Sequence, residues 1–314
     1  MSSVTPVLLV HGGAGNPRGG TVDDERAHHD ALRDALLAGY ELLAGGAAAL
    51  DAAEAAVRSL EECALFNAGR GSVLTADGRV EMDAAVMDGA TRQAGACAGI
   101  TRVRHPVALA RAIMEKTPHV LLVGAGAERY AADAGLEFED ADWFVTERER
   151  ARHADAAQAD APGAADRARG PEADAAGGEH GTVGAVALDA EGLLAAATST
   201  GGVRGQLPGR VGDTPVIGAG TWADEHVAVS CTGSGEQFIR AAVAHELSAR
   251  VRHARAALLD AAHTAIAGLD GGLIALARDG AYAMPFNTAL MYRGRAAGGS
   301  VQTWIWSDDK ESDG

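Results

Sequence analysis

The sequence predicts an α+β fold in which mainly antiparallel sheets are covered by helices. Two observations carry that expectation. Strand-length apolar runs come in pairs joined by tight turns, and helical stretches also come in pairs, in both halves of the chain. A doubly wound sheet would instead need a helical crossover between successive parallel strands. With 314 residues, 47% of them hydrophobic, the chain is long enough for one large domain or two small ones. No internal repeat divides it.

Val7 to Val10 reads as a short buried strand that ends at His11-Gly12-Gly13-Ala14-Gly15. Asp23 to Glu62 is helical in pattern, and the Gly45-Gly46 break divides it into two helices. After a loop from Cys63 to Gly71, the segments Ser72 to Ala76 and Arg79 to Met87 flank Asp77-Gly78 as the arms of a hairpin. Ala94 to Thr101 is a strand, Pro106 to Lys116 a helix that opens on proline, and Val120 to Val123 a strand before a further helix.

Ala151 to His180 contains no Val, Ile, Leu, Phe, Tyr or Trp. Such a stretch cannot bury enough apolar surface to offset its ordering entropy, so it reads as a mobile linker. Beyond it, Thr182 to Leu188 and Leu193 to Ser199 are strands around an Asp189 to Gly192 turn, and Val227 to Cys231 is another strand. Glu236 to Arg250 and Arg255 to Ala267 are helical, and Leu273 to Arg278 pairs with Ala281 to Phe286 across Asp279-Gly280.

The formal charge of −16 disfavours nucleic acid and anionic membranes as partners. Cys63, Cys97 and Cys231 are too few and too scattered for a disulfide framework, which fits a reducing compartment. The N-terminal stretch has no basic n-region and does not read as a signal peptide. No apolar run approaches the ~20 residues of a membrane-spanning helix. A cytoplasmic protein without membrane contact is expected.

Gly124-Ala-Gly126 and Gly218-Ala-Gly220 approach dinucleotide-binding fingerprints, but Arg129 replaces the third glycine of the first and no helical run follows the second. Both read as tight turns. His11 has no histidine or cysteine spaced to share a metal, and reads as a structural side chain beside a flexible glycine loop.

The junction His180-Gly181-Thr182-Val183 is different, because a linker runs directly into a buried strand whose first residue carries a hydroxyl. Threonine is a weak nucleophile that needs a base, and its own α-amine serves if the chain begins there. That amine has a reference pKa of about 7.7–8, close to an operating pH. Gly181 has no Cβ and lets the backbone take the strained shape in which the hydroxyl meets the preceding carbonyl. Downstream, Thr198-Ser199-Thr200 clusters hydroxyls at a strand end. Arg210 and Asp213, three apart in a glycine-lined loop, match the carboxylate and ammonium of an α-amino acid. Thr232-Gly233-Ser234-Gly235 joins a strand end to a helix start, where a hydroxyl and backbone N–H groups can form an oxyanion hole.

In order along the chain stand HGGAG, LEECALFNAGRGS, EMDAAVMDG, GTVGAVALD, TSTGG, GRVGDTP, SCTGSGE and PFNT. Together they resemble the plant-type L-asparaginase/isoaspartyl peptidase family of N-terminal nucleophile hydrolases over nearly the whole chain. The resemblance implies a single domain with a four-layer αββα sandwich. It implies self-cleavage after Gly181, giving chains 1–181 and 182–314 that assemble as a dimer of heterodimers. Thr182 would be the nucleophile, supported by Thr200, with Asn67 beside it. Arg210 and Asp213 would hold the substrate, Thr232 and Gly233 would form the oxyanion hole, and Gly235 would shape that loop. The reaction would be hydrolysis of L-asparagine or β-aspartyl dipeptides through an acyl-threonine. No organic cofactor is implied, but a structural sodium is, on the backbone carbonyls of Leu60, Glu61, Cys63, Phe66, Ala68 and Arg70.

Ser234, Ala289-Leu290 and Gly220-Thr-Trp-Ala223 depart modestly from the family pattern and bear on substrate preference. Two rival readings follow: a glycosylasparaginase-like amidase, which the cysteine count and the N-terminal stretch disfavour, and an uncleaved amino-acid-binding protein, which the intact Gly181-Thr182 pair disfavours.

Overall fold

The computed structural model of the chain describes residues 4–17, 22, 24–159 and 179–307. The first half runs β1 (Val7–Gly15), α1 (Glu25–Ala44), α2 (Ala49–Glu62), β2 (Met82–Asp88), β3 (Ala94–Ile100), α3 (Pro106–Lys116), β4 (Leu121–Val123), α4 (Gly124–Asp133), α5 (Ala141–Phe144) and α6 (Glu147–Ala159). The second runs β5 (Glu179–His180), β6 (Val183–Leu188), β7 (Leu194–Thr200), β8 (Thr221–Ala223), β9 (Val227–Gly233), α7 (Gly235–Ala241), α8 (Val243–Ala254), α9 (Leu258–Ala265), β10 (Gly271–Ala277), β11 (Tyr282–Ala283), β12 (Leu290–Ala297) and β13 (Ser300–Trp306).

The strands form two sheets. The larger has the order β13-β12-β1-β6-β7-β2-β3-β4, with β5 pairing beside β6 on the same edge of β1, and the smaller has the order β11-β10-β9-β8. Every pairing is antiparallel except β3 with β4. Helices α1 to α3 cover the outer face of the large sheet, its inner face packs on the small sheet, and α8 and α9 cover the far side of the small sheet. The result is the four-layer αββα sandwich.

Central strands of such a sandwich are buried on both faces, so they read as continuous apolar runs rather than alternating ones. In β1, Leu8 and Val10 point into the core beneath the helices, while Val7 and Leu9 point into the core between the sheets. In β6, Val183, Ala185 and Ala187 take the first core, and Val186 and Leu188 the second. Small residues let the layers approach. A Cβ on Gly95 of β3 would lie 2.1 Å from the Ala110 carbonyl oxygen, so only glycine allows α3 to sit so close to the sheet.

Several expectations need correction. The arms around Asp77-Gly78 do not form a two-stranded hairpin. The amides of Val73 and Ala76 bond Asn67 Oδ1 and the Gln206 carbonyl, so the segment is tied to other loops and β2 begins only at Met82. The glycines after His11 do not form a loop, because β1 runs through them to Gly15 with a register shift between His11 and Gly13. Residues 151–159 of the expected linker are helical, as the second part of α6. Buried Glu149 anchors that helix by accepting Arg152 of its own next turn and Arg204 across the chain. Residues 160–178 of the linker lie outside the described residues, and Glu179–His180 pairs with β1. The helical stretch after Glu236 is broken at Ala242, whose φ of 47° separates α7 from α8. β12 and β13 were not anticipated at all.

Candidate active site

Antiparallel pairing of β6 with β7 sets Val183 opposite Ser199, which brings Thr182 opposite Thr200 one residue on. The Thr182 hydroxyl donates to Thr200 Oγ1 at 3.1 Å, and Thr182 is only 7% exposed. Thr200 Oγ1 also accepts the Gly202 amide at 3.1 Å, so its orientation is fixed from the strand end. Gly181 lies against Asn67, where a Cβ on the glycine would come within 2.3 Å of the asparagine Cβ. Asn67 itself is locked: Nδ2 donates to the Gly202 carbonyl at 2.8 Å, Oδ1 accepts the Val73 amide at 2.8 Å, and its carbonyl accepts the Gly201 amide at 2.9 Å. It therefore braces the turn after Thr200 and forms the floor beneath Gly181.

A second group gathers on the loop that follows. Arg210 is bound edge-on by Glu236, Nε to Oε1 and Nη2 to Oε2, each at 2.9 Å. That leaves the Nη1/Nη2 edge facing the glycines: a Cβ would lie 3.0 Å from Nη1 at Gly212 and 2.9 Å from Nη2 at Gly235. The same Gly235 position lies 3.0 Å from Asp213 Oδ1. Gly235 thus keeps open the space between a guanidinium and a carboxylate, the two ends of an α-amino acid site. Asp213 Oδ2 is buried without a hydrogen-bond partner among the described residues, and so is the hydroxyl of Thr232 at the end of β9. Buried polar atoms are normally paired, so both have bonding capacity to spare for a ligand.

The comparisons with known proteins agree with this geometry. The family model described as asparaginase matches residues 4–305. The isoaspartyl peptidase of Salmonella typhimurium is 45% identical over 306 residues, covering 95% of this chain and 97% of that protein. The chain belongs to the asparaginase family. The isoaspartyl peptidase of Escherichia coli is 44% identical over 95% of this chain and 94% of its own length. The isoaspartyl peptidase/L-asparaginase of Homo sapiens is 38% identical, over 98% of each chain.

In this asparaginase-family chain Thr200, which accepts the Thr182 hydroxyl, lies on one continuous stretch with Arg210 and Asp213. Gln206 joins them, since its Oε1 accepts the Val203 amide at 2.8 Å and approaches Arg210 Nη1 at 3.4 Å. Sequence reasoning passed over Gln206 and Glu236, although Glu236 closes the SCTGSGE motif. Behind Thr182, His11 Nε2 meets Ser230 Oγ at 2.8 Å, and Ser230 meets Thr198 at 2.8 Å. Thr221 Oγ1 in turn donates to Thr198 Oγ1 at 2.8 Å. Burial pushes the His11 imidazole down to about 3, which keeps it neutral. This hydroxyl chain stitches the two sheets together, the structural role expected for His11. No helix among the described residues is long and apolar enough to cross a membrane.

The loop from Cys63 to Gly71 has a donor set suited to a hard monovalent cation. The Phe66 and Ala64 carbonyl oxygens lie 2.6 and 2.9 Å from where a Cβ would stand on Gly71, and the Glu61 carbonyl oxygen lies 2.4 Å from the same point on Gly69. Gly69 and Gly71 have φ of 52° and 102°, so left-handed glycines wind these carbonyls into a tight turn. The carbonyls of Leu60, Glu61 and Cys63 accept the amides of Cys63, Arg70 and Phe66. Those of Phe66, Ala68 and Arg70 accept none among the described residues, which leaves neutral oxygen donors for a metal.

Burial raises the Asp213 carboxyl from 3.8 to about 7, against the opposing pull of its own amide and of Arg210. The folded-state value lies above the unfolded one, so the cost of the charged form is absent below about pH 4. It grows between the two values and is complete above pH 7. Asp213→Asn is accordingly expected to be more stable than the parent at pH 8 by about 1–3 kcal/mol, the cost of an unsatisfied buried group. The difference should fade toward pH 4, and urea unfolding at both pH values measures it.

Proposed function

We propose that the protein is a threonine amidohydrolase, activated by its own cleavage, that hydrolyses β-aspartyl (isoaspartyl) dipeptides and L-asparagine. The observation that carries this reading is Thr182: a buried hydroxyl bonded to Thr200, immediately after a glycine pressed on Asn67. Thr182 Oγ attacks the Gly181 carbonyl, and an N→O acyl shift converts the peptide bond to an ester. Water hydrolyses the ester, leaving a carboxylate on Gly181 and a free α-amine on Thr182.

In turnover that amine accepts the hydroxyl proton as Oγ attacks the side-chain carbonyl of the substrate. The same proton passes to the leaving group, which departs as ammonia or as an amino acid. Water then opens the acyl-threonine and releases aspartate. Arg210 holds the α-carboxylate, Asp213 the α-ammonium, and Thr232 with the Gly233 amide faces the developing oxyanion. Gly235 leaves room for the substrate between Arg210 and Asp213. Relatives named isoaspartyl peptidase/L-asparaginase support both substrates.

The mature form is a pair of chains, 1–181 and 182–314, assembled as a dimer of heterodimers in the cytoplasm. The backbone carbonyls of Leu60, Glu61, Cys63, Phe66, Ala68 and Arg70 would hold a structural sodium ion, whose charge would stiffen the loop that carries Asn67.

Intact-mass measurement of purified protein, with ammonia release from L-asparagine and amino-acid release from β-aspartyl dipeptides, tests the reading. Two fragments that join at residues 181 and 182, with turnover of either substrate, are expected. A stable single chain inactive on both would overturn it.

A further inference from the structure

One sequence motif, EMDAAVMDG, has no role in the chemistry above, yet its first and third residues face the loop that carries Arg210. Asp83 of β2 stands opposite Thr200 of β7 in the sheet register. It is 3% exposed, and its Oδ1 accepts the Gly99 amide at 2.9 Å, which fixes the carboxyl against β3. Burial pushes its carboxyl up to about 7, against the opposing pull of the Gly99 and Gly212 backbone and of Arg210. Two residues earlier, half-buried Glu81 accepts the Gly209 amide on Oε2 at 2.7 Å. Gly209 has a φ of 83°, a turn that ordinary side chains disfavour, and the Glu81 contact holds the loop where it makes that turn. Glu81 therefore holds the loop at Gly209, and Asp83, fixed on β2, stands close enough to feel the charge of Arg210.

We propose that Glu81 and Asp83 are positioning residues, which set the loop bearing Arg210 and Asp213 and so tune recognition of the substrate's α-amino acid end. This deepens the function proposed above and rests on it. Neither residue touches the substrate. Glu81 acts by fixing the loop entry through a backbone amide, and Asp83 by backing Gly212 and balancing Arg210. Because β2 pairs with β7 at Thr200, the same strand also carries the strand end that supports the nucleophile.

Glu81→Ala, Glu81→Gln and Asp83→Asn test the idea. Each is assayed for self-cleavage by intact mass, for KM and kcat on L-asparagine, and for L-aspartate binding by calorimetry. Glu81→Ala is expected to be cut normally, to raise KM and the aspartate Kd about ten-fold, and to change kcat less than about three-fold. Glu81→Gln, which keeps an acceptor oxygen, should restore both constants to within about three-fold of the parent. Asp83→Asn should weaken aspartate binding in the same sense. If Asp83→Asn does not fold, the Glu81 pair still decides. KM and aspartate Kd within about two-fold of the parent in Glu81→Ala would overturn the proposal. An inactive parent would instead overturn the proposed function, and the two failures are distinct.

Discussion

Thr182→Ala is expected to give a folded, uncut chain of 314 residues with no amidase activity. Thr182 is the hydroxyl that would open the Gly181 peptide and the nucleophile that would attack the substrate, so one substitution removes both steps. Loss of a covalent nucleophile costs on the order of 10⁴-fold or more in rate. Folding should survive, because the Thr182 hydroxyl contributes one hydrogen bond, to Thr200, and the strand it opens keeps its pairing on both sides. Thr182→Ser keeps the hydroxyl but loses the methyl that fixes the rotamer of a β-branched side chain. Partial cleavage and reduced turnover are expected of it. Intact mass and ammonia release separate the two roles. Full activity from uncut Thr182→Ala would remove the N-terminal nucleophile from the mechanism.

Arg210→Ala and Asp213→Ala should abolish useful turnover while leaving cleavage after Gly181 in place. Each removes a charge-assisted contact worth about 1.5–3 kcal/mol to the substrate. Each also loosens the position of the reacting carbonyl, so kcat should fall together with kcat/KM. In Arg210→Ala, Glu236 loses its partner, but it is half exposed and water can solvate it. Near-normal kinetics in both variants would place the α-amino acid site elsewhere.

The parts legible in the sequence are those that local chemistry decides. Gly45-Gly46 separates α1 from α2 because two glycines end a helix that the apolar pattern would otherwise continue. The short continuous apolar runs of β6 and β7 are what strands covered on both faces require. Thr182, Arg210 and Asp213 could be singled out because a hydroxyl after glycine at a strand start and a basic and an acidic residue three apart in a glycine-lined loop are visible residue by residue. What escaped depends on distant partners. Leu290–Ala297 mixes arginine, tyrosine and glycine with apolar residues and offers no clean strand period, and Ser300–Trp306, though rich in β-branched and aromatic residues, takes its place only by pairing with it. A signal was present all the same: Gly298 and Gly299 have φ of 57° and 79°, the Gly-Gly turn of a tight hairpin. The helix over 147–159 was hidden by its lack of apolar residues. It is held by arginine and glutamate pairs, which hydrophobic periodicity does not register. Likewise the locking of Asn67 depends on amides at 73 and 201, which no spacing rule reveals.

The order of strands in the large sheet has a consequence for how the molecule comes apart. From one edge it runs β13-β12, then β1, then β6-β7, then β2-β3-β4. A cut after Gly181 assigns β12, β13, β6 and β7 to one polypeptide and β1 to β4 to the other, so the two are shuffled like cards within a single sheet. β1 is gripped between β12 and β6, both from the opposite piece. The small sheet falls wholly in the second piece, but neither piece retains the large sheet or the core beneath its helices on its own, so they can separate only by unfolding. Before the cut, the two pieces of one chain come apart unimolecularly, a step whose midpoint is independent of protein concentration. After the cut, each heterodimer melts into two strangers, and its midpoint rises with concentration by mass action. Cleavage would thus make a catalyst that is folded once, as a single chain, and that after heat or denaturant must find its other half by diffusion to be rebuilt.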